Sequence, residues 1–300
     1  MVESRTASTT RAISFLYTLD MARLAPYLVF VVSFAVYLAT LAPTLYRLDS
    51  AESSAAAYDL GVPHATGYPF TCSWVNFAYL PVGDVGYRLN LMAAVFAAGA
   101  VTVLFQLSLL VTKRTTTSFA VACSLAFSYY FWASAVVAEV YTLHVFLTGL
   151  TIHLLVRWDK SRGNRLLFAA LFAWGLRFGN HMSTMLMGPA VAFLILRGLQ
   201  QNRVSAATVL LAVPAFVLPL TLYLPWRYSA VALPYVISHY DSFGQLARVD
   251  HTTIGGMWET LTAQQFESLI FAYRWGSNRE EAGGIALERR RDGLSPPLLL

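Results

Sequence analysis

Long charge-free apolar stretches recur along this chain, and they constrain its fold more than any other feature. Leu24–Tyr46, Leu89–Thr112, Thr115–Ala138, Val140–Val156, Leu166–Leu176, Phe178–Leu196 and Val204–Trp226 contain no Asp, Glu, Lys or Arg. A helix needs ~20 apolar residues, with a range of about 17–25, to span a bilayer. Only Leu166–Leu176 is short by that measure. The chain is 57% hydrophobic and 12% charged, against about 25% charged in an average soluble protein. A single water-soluble core cannot bury so much apolar surface, and such a composition is the reverse of a disordered one. The expected fold is an all-α polytopic membrane protein with about seven transmembrane segments. Cys72 and Cys123 are too few for a disulfide scaffold or a thiolate metal cluster.

The basic residues orient the spans. With a cytoplasmic N-terminus, eleven Lys and Arg up to Arg203 fall on inside segments and three, Arg47, Arg88 and Arg177, fall outside. That is a positive-inside pattern. It requires two passes between Leu166 and Leu196, turned by a short outer hairpin at Arg177–His181. The first span is too long for a signal-peptide core and reads as a retained anchor. Residues 1–24 then form a cytoplasmic segment, and 25–230 the transmembrane domain with a long first outer loop over 44–88. Residues 231–277 form an outer loop whose Met257–Tyr273 lies as an amphipathic helix in the interface. Residues 278–300 form a charged, Gly-containing tail that cannot fold alone.

This topology gathers the scarce polar residues on one side. Asp49 and Glu52, spaced i,i+3, share a helical face. Two such carboxylates suit a general base or a cation site, and from spacing alone a helix start, as an N-cap and a dipole partner, is the plainer reading. Gly61-Val62-Pro63-His64-Ala65-Thr66-Gly67-Tyr68-Pro69 is a turn-rich loop, in which His64 either donates to an anion, acts as a base, or is satisfied by backbone. Glu139 is the only charge between Thr115 and Val156, so it needs a partner, a cavity or an interfacial position. Asn180 and His181 read as a hairpin turn or a ligand pair. Arg227 reads as a snorkelling residue or a phosphate clamp. No Gly-rich phosphate loop and no His/Cys zinc spacing occurs, and the aromatic residues read as belts and packing rather than nucleic-acid platforms.

Several motifs in order resemble a known membrane family. They are Pro43-Thr44-Leu45, Asp49-Ser50-Ala51-Glu52, the Leu60–Pro69 loop and Arg88-Leu89-Asn90-Leu91, then Phe127-Ser128 with Phe131-Trp132, Ala135–Tyr141, Gly179-Asn180-His181, and Leu222–Pro225 with Arg227. The family was once catalogued only as a domain of unknown function. It includes the eukaryotic endoplasmic-reticulum O-mannosyltransferase acting on plexin-type receptor domains, and bacterial relatives. The resemblance covers roughly residues 25–230. It departs at Ala65, where the family usually has Pro, and weakens after Arg227.

The resemblance implies a GT-C type glycosyltransferase. Such an enzyme moves a sugar, mannose in the family's named member, from a polyprenyl- or dolichyl-phosphate donor to a protein Ser/Thr hydroxyl, with inversion. Asp49 and Glu52 match the catalytic acidic pair. His64, Tyr68, Glu139, Tyr141, Asn180, His181 and Arg227 match motif positions and are assigned to substrate binding. The expected partners are the lipid-linked sugar, an acceptor protein and the bilayer, without nucleic acid. No cofactor is expected, and a divalent metal on the acidic pair is left open. The site would face outward from a bacterial plasma membrane, or into the lumen of the endoplasmic reticulum in a eukaryote. The rival classes are a multi-pass transporter or lipid flippase, which would favour inverted repeats and midplane polar groups, and a non-catalytic membrane subunit.

Overall fold

The computed structural model describes residues 24–46, 49–59, 61, 63, 68, 78–161, 163–223, 238–240, 246–250 and 253–262. The chain divides into two compact units, Met1–Val236 and Ile237–Leu300.

The first unit is a helical bundle. Helix α1 covers Leu24–Ala39 and a short α2 covers Asp49–Asp59. Helix α3, Val85–Thr112, is the long central element. It is lined by Ala93, Ala94, Ala97, Ala98 and Ala100, all fully or almost fully buried. Small side chains let neighbouring backbones approach where no hydrophobic effect drives them together. Helix α3 starts at Asp84, which accepts the Tyr87 N–H at 2.8 Å. It stops at Lys113, whose left-handed backbone (φ 58°) closes the turn by an N–H bond to the Leu109 carbonyl.

Next come α4 (Thr115–Ala126), α5 (Tyr129–Ala135), α6 (Val140–Ser161) and α7 (Asn164–Phe178). A 3₁₀ turn, Met182–Met187, leads into α8, Gly188–Gln200. Helix α9, Ala206–Val217, carries Pro214 inside it and tightens into a 3₁₀ turn over Leu218–Leu222. The main packing pairs are α3 with α6 and α4, α6 with α7, and α7 with α9.

All the apolar stretches of the sequence thus carry helix. Three helical segments are long and apolar enough to cross a membrane: Val85–Thr112, Val140–Ser161 and Met182–Gln200. Leu24–Ala39, Thr115–Ala126 and Ala206–Leu222 are shorter apolar helices. The expected third span does not run unbroken. It is interrupted at Phe127–Ser128 and ends at Ala135, leaving Val136–Glu139 as irregular chain. The doubtful Leu166–Leu176 stretch extends at both ends into α7, because Arg165 and Arg177 are helical too.

In the second unit, β1 (Ser238–Tyr240) pairs antiparallel with β2 (Leu246–Arg248). This small ribbon modifies the all-α expectation for that part of the chain. Helix α10, Ile254–Leu261, is capped by the Thr253 hydroxyl, which accepts the Gly256 N–H at 3.0 Å. It begins three residues before the expected interfacial helix, whose remainder over 263–273 lies outside the described residues, as does the 278–300 tail.

Candidate functional site

Asp49 and Glu52 occupy the first turn of α2. The helix buries Ser50, Ser53, Ser54, Ala56 and Ala57, with Ala57 packed in one cluster with Leu89, Met92 and Leu143 of α3 and α6. Asp49 is left exposed and Glu52 half-buried. Both carboxylates lie at the helix N-terminus, where the macrodipole favours negative charge. The two carboxylates thus stand together at a helix start.

Glu139 sits in the irregular segment between α5 and α6, and Tyr141 in the first turn of α6. That irregular segment is held by one buried residue. Asn90 of α3 donates from Nδ2 to the carbonyls of Ala42 (2.9 Å) and Thr44 (3.0 Å), and its Oδ1 accepts the Ala138 N–H at 2.7 Å. A further bond runs from the Ala42 N–H to the Val136 carbonyl at 3.0 Å. Asn90 thus ties the end of the first apolar stretch to the residue before Glu139, with both its amide groups satisfied. Gly86 allows the same approach, since a Cβ there would collide with the Thr44–Leu45 backbone. Arg88 organises the end of the loop by donating to the carbonyls of Ala78, Val82 and Gly83 at 2.6–2.9 Å.

Asn180 and His181 lie in the turn between α7 and the 3₁₀ segment. Asn180 is fully buried and donates to the Val140 carbonyl at 3.1 Å. His181 is half-buried. Its ring stacks on Tyr68 at 6.4 Å between centroids and lies 6.2 Å from Tyr141 and 5.0 Å from His144. Tyr68 has φ 42°, a left-handed conformation in a residue that precedes Pro69. That departs from the usual extended pre-proline backbone and carries strain on the order of 1–3 kcal/mol. Burial raises the Tyr68 phenol pKa furthest, and the neighbouring Tyr141 phenol and the carboxylates of Asp49, Glu52 and Glu139 raise it further. Tyr68 stays protonated at neutral pH and can serve as a hydrogen-bond donor among carboxylates. The structure therefore brings Asp49, Glu52, Tyr68, Glu139, Tyr141 and His181 into one electrostatic neighbourhood. His64 and Arg227 lie outside the described residues.

Sequence reasoning missed one group. The expected hairpin Arg177–His181 is shorter than anticipated, because Arg177 belongs to the last turn of α7 and is 3% exposed. Its guanidinium donates to Met187 Sδ at 2.7 Å and to His144 Nε2 at 3.3 Å. His144 Nε2 also lies 3.2 Å from the Ser183 hydroxyl, which in turn lies 3.0 Å from His181 Nδ1. The available signal was a lone cation flanked by apolar helix, which is costly unless it has work to do. Among the described residues no three or more His, Cys, Asp or Glu side chains are grouped to hold a metal ion.

Residues 49–205 match the family described as Protein O-mannosyl-transferase TMEM260 N-terminal domain. Over 232 residues, 74% of this chain, the sequence is 31% identical to Protein O-mannosyl-transferase TMEM260 of Mus musculus and covers 31% of that protein. The chain thus spans about a third of the length of the curated relative it matches. No solved structure matches.

Proposed function

This chain belongs to the protein O-mannosyl-transferase TMEM260 family, and from that premise we propose that it is a glycosyltransferase. It transfers a sugar, mannose by the relative's name, from a polyprenyl- or dolichyl-phosphate donor to a Ser or Thr hydroxyl of a protein. The observation that carries the reading is the grouping of Asp49, Glu52 and Glu139 about a half-buried Tyr68 stacked on His181.

In the proposed step the Asp49 carboxylate takes the proton of the acceptor hydroxyl. The acceptor oxygen bonds to the anomeric carbon from the side opposite the phosphate. The bond from that carbon to the phosphate oxygen breaks, its electron pair leaves with the polyprenyl phosphate, and the anomeric configuration inverts. A phosphate leaving group needs no general acid, so one base suffices, contributing about 10²–10⁴-fold. Glu52 orients the acceptor. Glu139, Tyr68, Tyr141 and Asn180 shape the sugar and acceptor pocket, together with His64. His181 and Arg227 meet the charge that grows on the phosphate.

The seven apolar helical segments are read as membrane passes, with the α2 side outward or lumenal and the lipid tail between apolar helices. The enclosing membrane is the plasma membrane of a bacterium or the endoplasmic reticulum of a eukaryote. Domain limits follow the same reading, with the transferase domain over 25–230. The test incubates membranes containing the chain with labelled polyprenyl-phosphate mannose and Ser/Thr peptides. Labelled glycopeptide is the expected product, while ion-dependent uptake without transfer would instead assign a transporter.

A further inference from the structure

Two donors of fixed direction decide the protonation of two histidines. An arginine can only donate, so His144 Nε2, 3.3 Å from Arg177 Nη2, must offer its lone pair. The proton of neutral His144 therefore sits on Nδ1, a buried atom with no hydrogen-bond partner. The Ser183 backbone N–H can also only donate, and it points to His181 Nδ1 at 3.2 Å. The proton of neutral His181 therefore sits on Nε2. The Ser183 hydroxyl lies between the two acceptors, 3.2 Å from one and 3.0 Å from the other, and has one proton to give. Arg177 itself has no carboxylate partner among the described residues, and its Nε makes no hydrogen bond. A buried guanidinium left without an anion is expensive. A local structural role is also available, since His181 caps the 3₁₀ segment, but a cap alone needs neither the cation nor the second histidine.

We propose that Arg177, His144 and Ser183 form a buried positioning relay that presents His181 as an Nε2–H donor, and not as a base, to the phosphate of the departing lipid carrier. This inference rests on the transferase reading. It narrows it as well, because with Nδ1 occupied and Nε2 already protonated the hydroxyl proton must go to a carboxylate. The uncompensated charge of Arg177 adds a favourable field at little reorganisation cost, as a preorganised dipole set does.

The test separates the two nitrogens. A glutamine amide can place a donor where Nε2–H was, and an asparagine amide places it nearer Nδ1. With the full chain in lipid nanodiscs and labelled polyprenyl-phosphate mannose as donor, His181→Gln is expected to keep at least about a tenth of kcat. His181→Asn should lose ~10²–10³-fold, the usual loss for one transition-state donor, with KM for the acceptor peptide unchanged. Arg177→Lys should recover part of what Arg177→Met loses. Equal loss in His181→Gln and His181→Asn would overturn the donor assignment. Nitrogen-15 spectra of the histidine rings give a readout that needs no turnover. They should show His181 Nδ1 and His144 Nε2 unprotonated in the parent chain, and a mixture of tautomers at His144 in Arg177→Met, where its fixed donor is gone. A mixture already present in the parent would overturn the relay even if sugar transfer is normal. A chain that transfers nothing but keeps the single tautomer fails the transferase reading, and with it the phosphate role of His181, while the Arg177–His144 and Ser183–His181 geometry stands.

Discussion

The two ends of α6 solve the problem of polar groups in an apolar bundle in opposite ways. At its last turn, Asp159 accepts Arg203 through both its carbonyl (2.8 Å) and its carboxylate (2.7 Å), with Arg197 3.8 Å away. Lys160 reaches the Leu110 carbonyl at 3.0 Å. The charges there are paired and partly wet, with 24% and 27% of the Arg203 and Asp159 side chains exposed. Around its start lie Glu139, Tyr141 and the His181 cluster, where Arg177 is buried against sulfur and imidazole and two buried nitrogens lack partners. At one end the Asp159 carboxylate is shared between two arginines, and the Trp158 indole N–H beside it is buried without a partner. The other keeps costly groups in place, the pattern expected where stability is given up for a site.

The sharpest way to break this contrast is Asp49→Asn. It removes the proposed base while keeping size and capping ability, so transfer should fall ~10²–10⁴-fold with the melting temperature nearly unchanged. Activity near the parent level would move the base to Glu52 or Glu139 and would detach the α2 start from the chemistry. The next effect is in stability. Asn90→Ala strips donors from the Ala42 and Thr44 carbonyls and an acceptor from the Ala138 N–H. The Ala138 N–H is buried and the two carbonyls are partly buried; a buried group left unsatisfied costs ~1–3 kcal/mol, so a loss of about 2 kcal/mol is expected in denaturant titration. Because Ala138 precedes Glu139, residual activity should fall further than the unfolded fraction accounts for.

How much of this was legible in the sequence follows from the range of each interaction. The helical segments were readable because apolar runs are local, and Asp49, Glu52, Glu139 and His181 stood out because charge and imidazole are rare beside such runs. The break at Phe127–Ser128 was not readable, since neither residue is a Gly or Pro and the apolar composition is continuous across it. Asn90 lies in a motif, yet its partners stand 46–48 residues away in the chain. Arg177 reads from the sequence as a turn residue, because only the packing of α7 against its neighbours decides whether the guanidinium faces solvent or His144. Periodicity indicates which face of a helix is apolar. It carries nothing about which polar atom on another helix waits there.

A smaller effect concerns the entry to α3. The Asp84 carboxylate accepts from the Thr44 hydroxyl and the Tyr87 N–H, and these bonds hold its pKa below the ordinary 3.8. A depressed carboxylate stabilises the fold fully above its unfolded pKa and loses that contribution as pH falls through the lower, folded value. Acid titration of the parent chain below about pH 4 should therefore loosen the Thr44–Tyr87 region before the core of α3, visible in amide exchange at the first turn. Asp84→Asn should flatten that pH dependence while leaving the His181 end unaffected at neutral pH.

The smallest effect tests the ion-paired end. Asp159→Asn leaves Arg203 its bond to the Asp159 backbone carbonyl, so the guanidinium keeps a partner and is also partly solvated. A partly exposed ion pair is worth ~0–1 kcal/mol, and the loss should lie in that range and shrink as salt is raised. Transfer rates should be unchanged, because nothing links Asp159 to the carboxylate cluster except the body of α6. A drop in kcat at constant stability would show that the two ends are coupled through that helix, and the division between a structural end and a chemical end would then fail where it is cheapest to test.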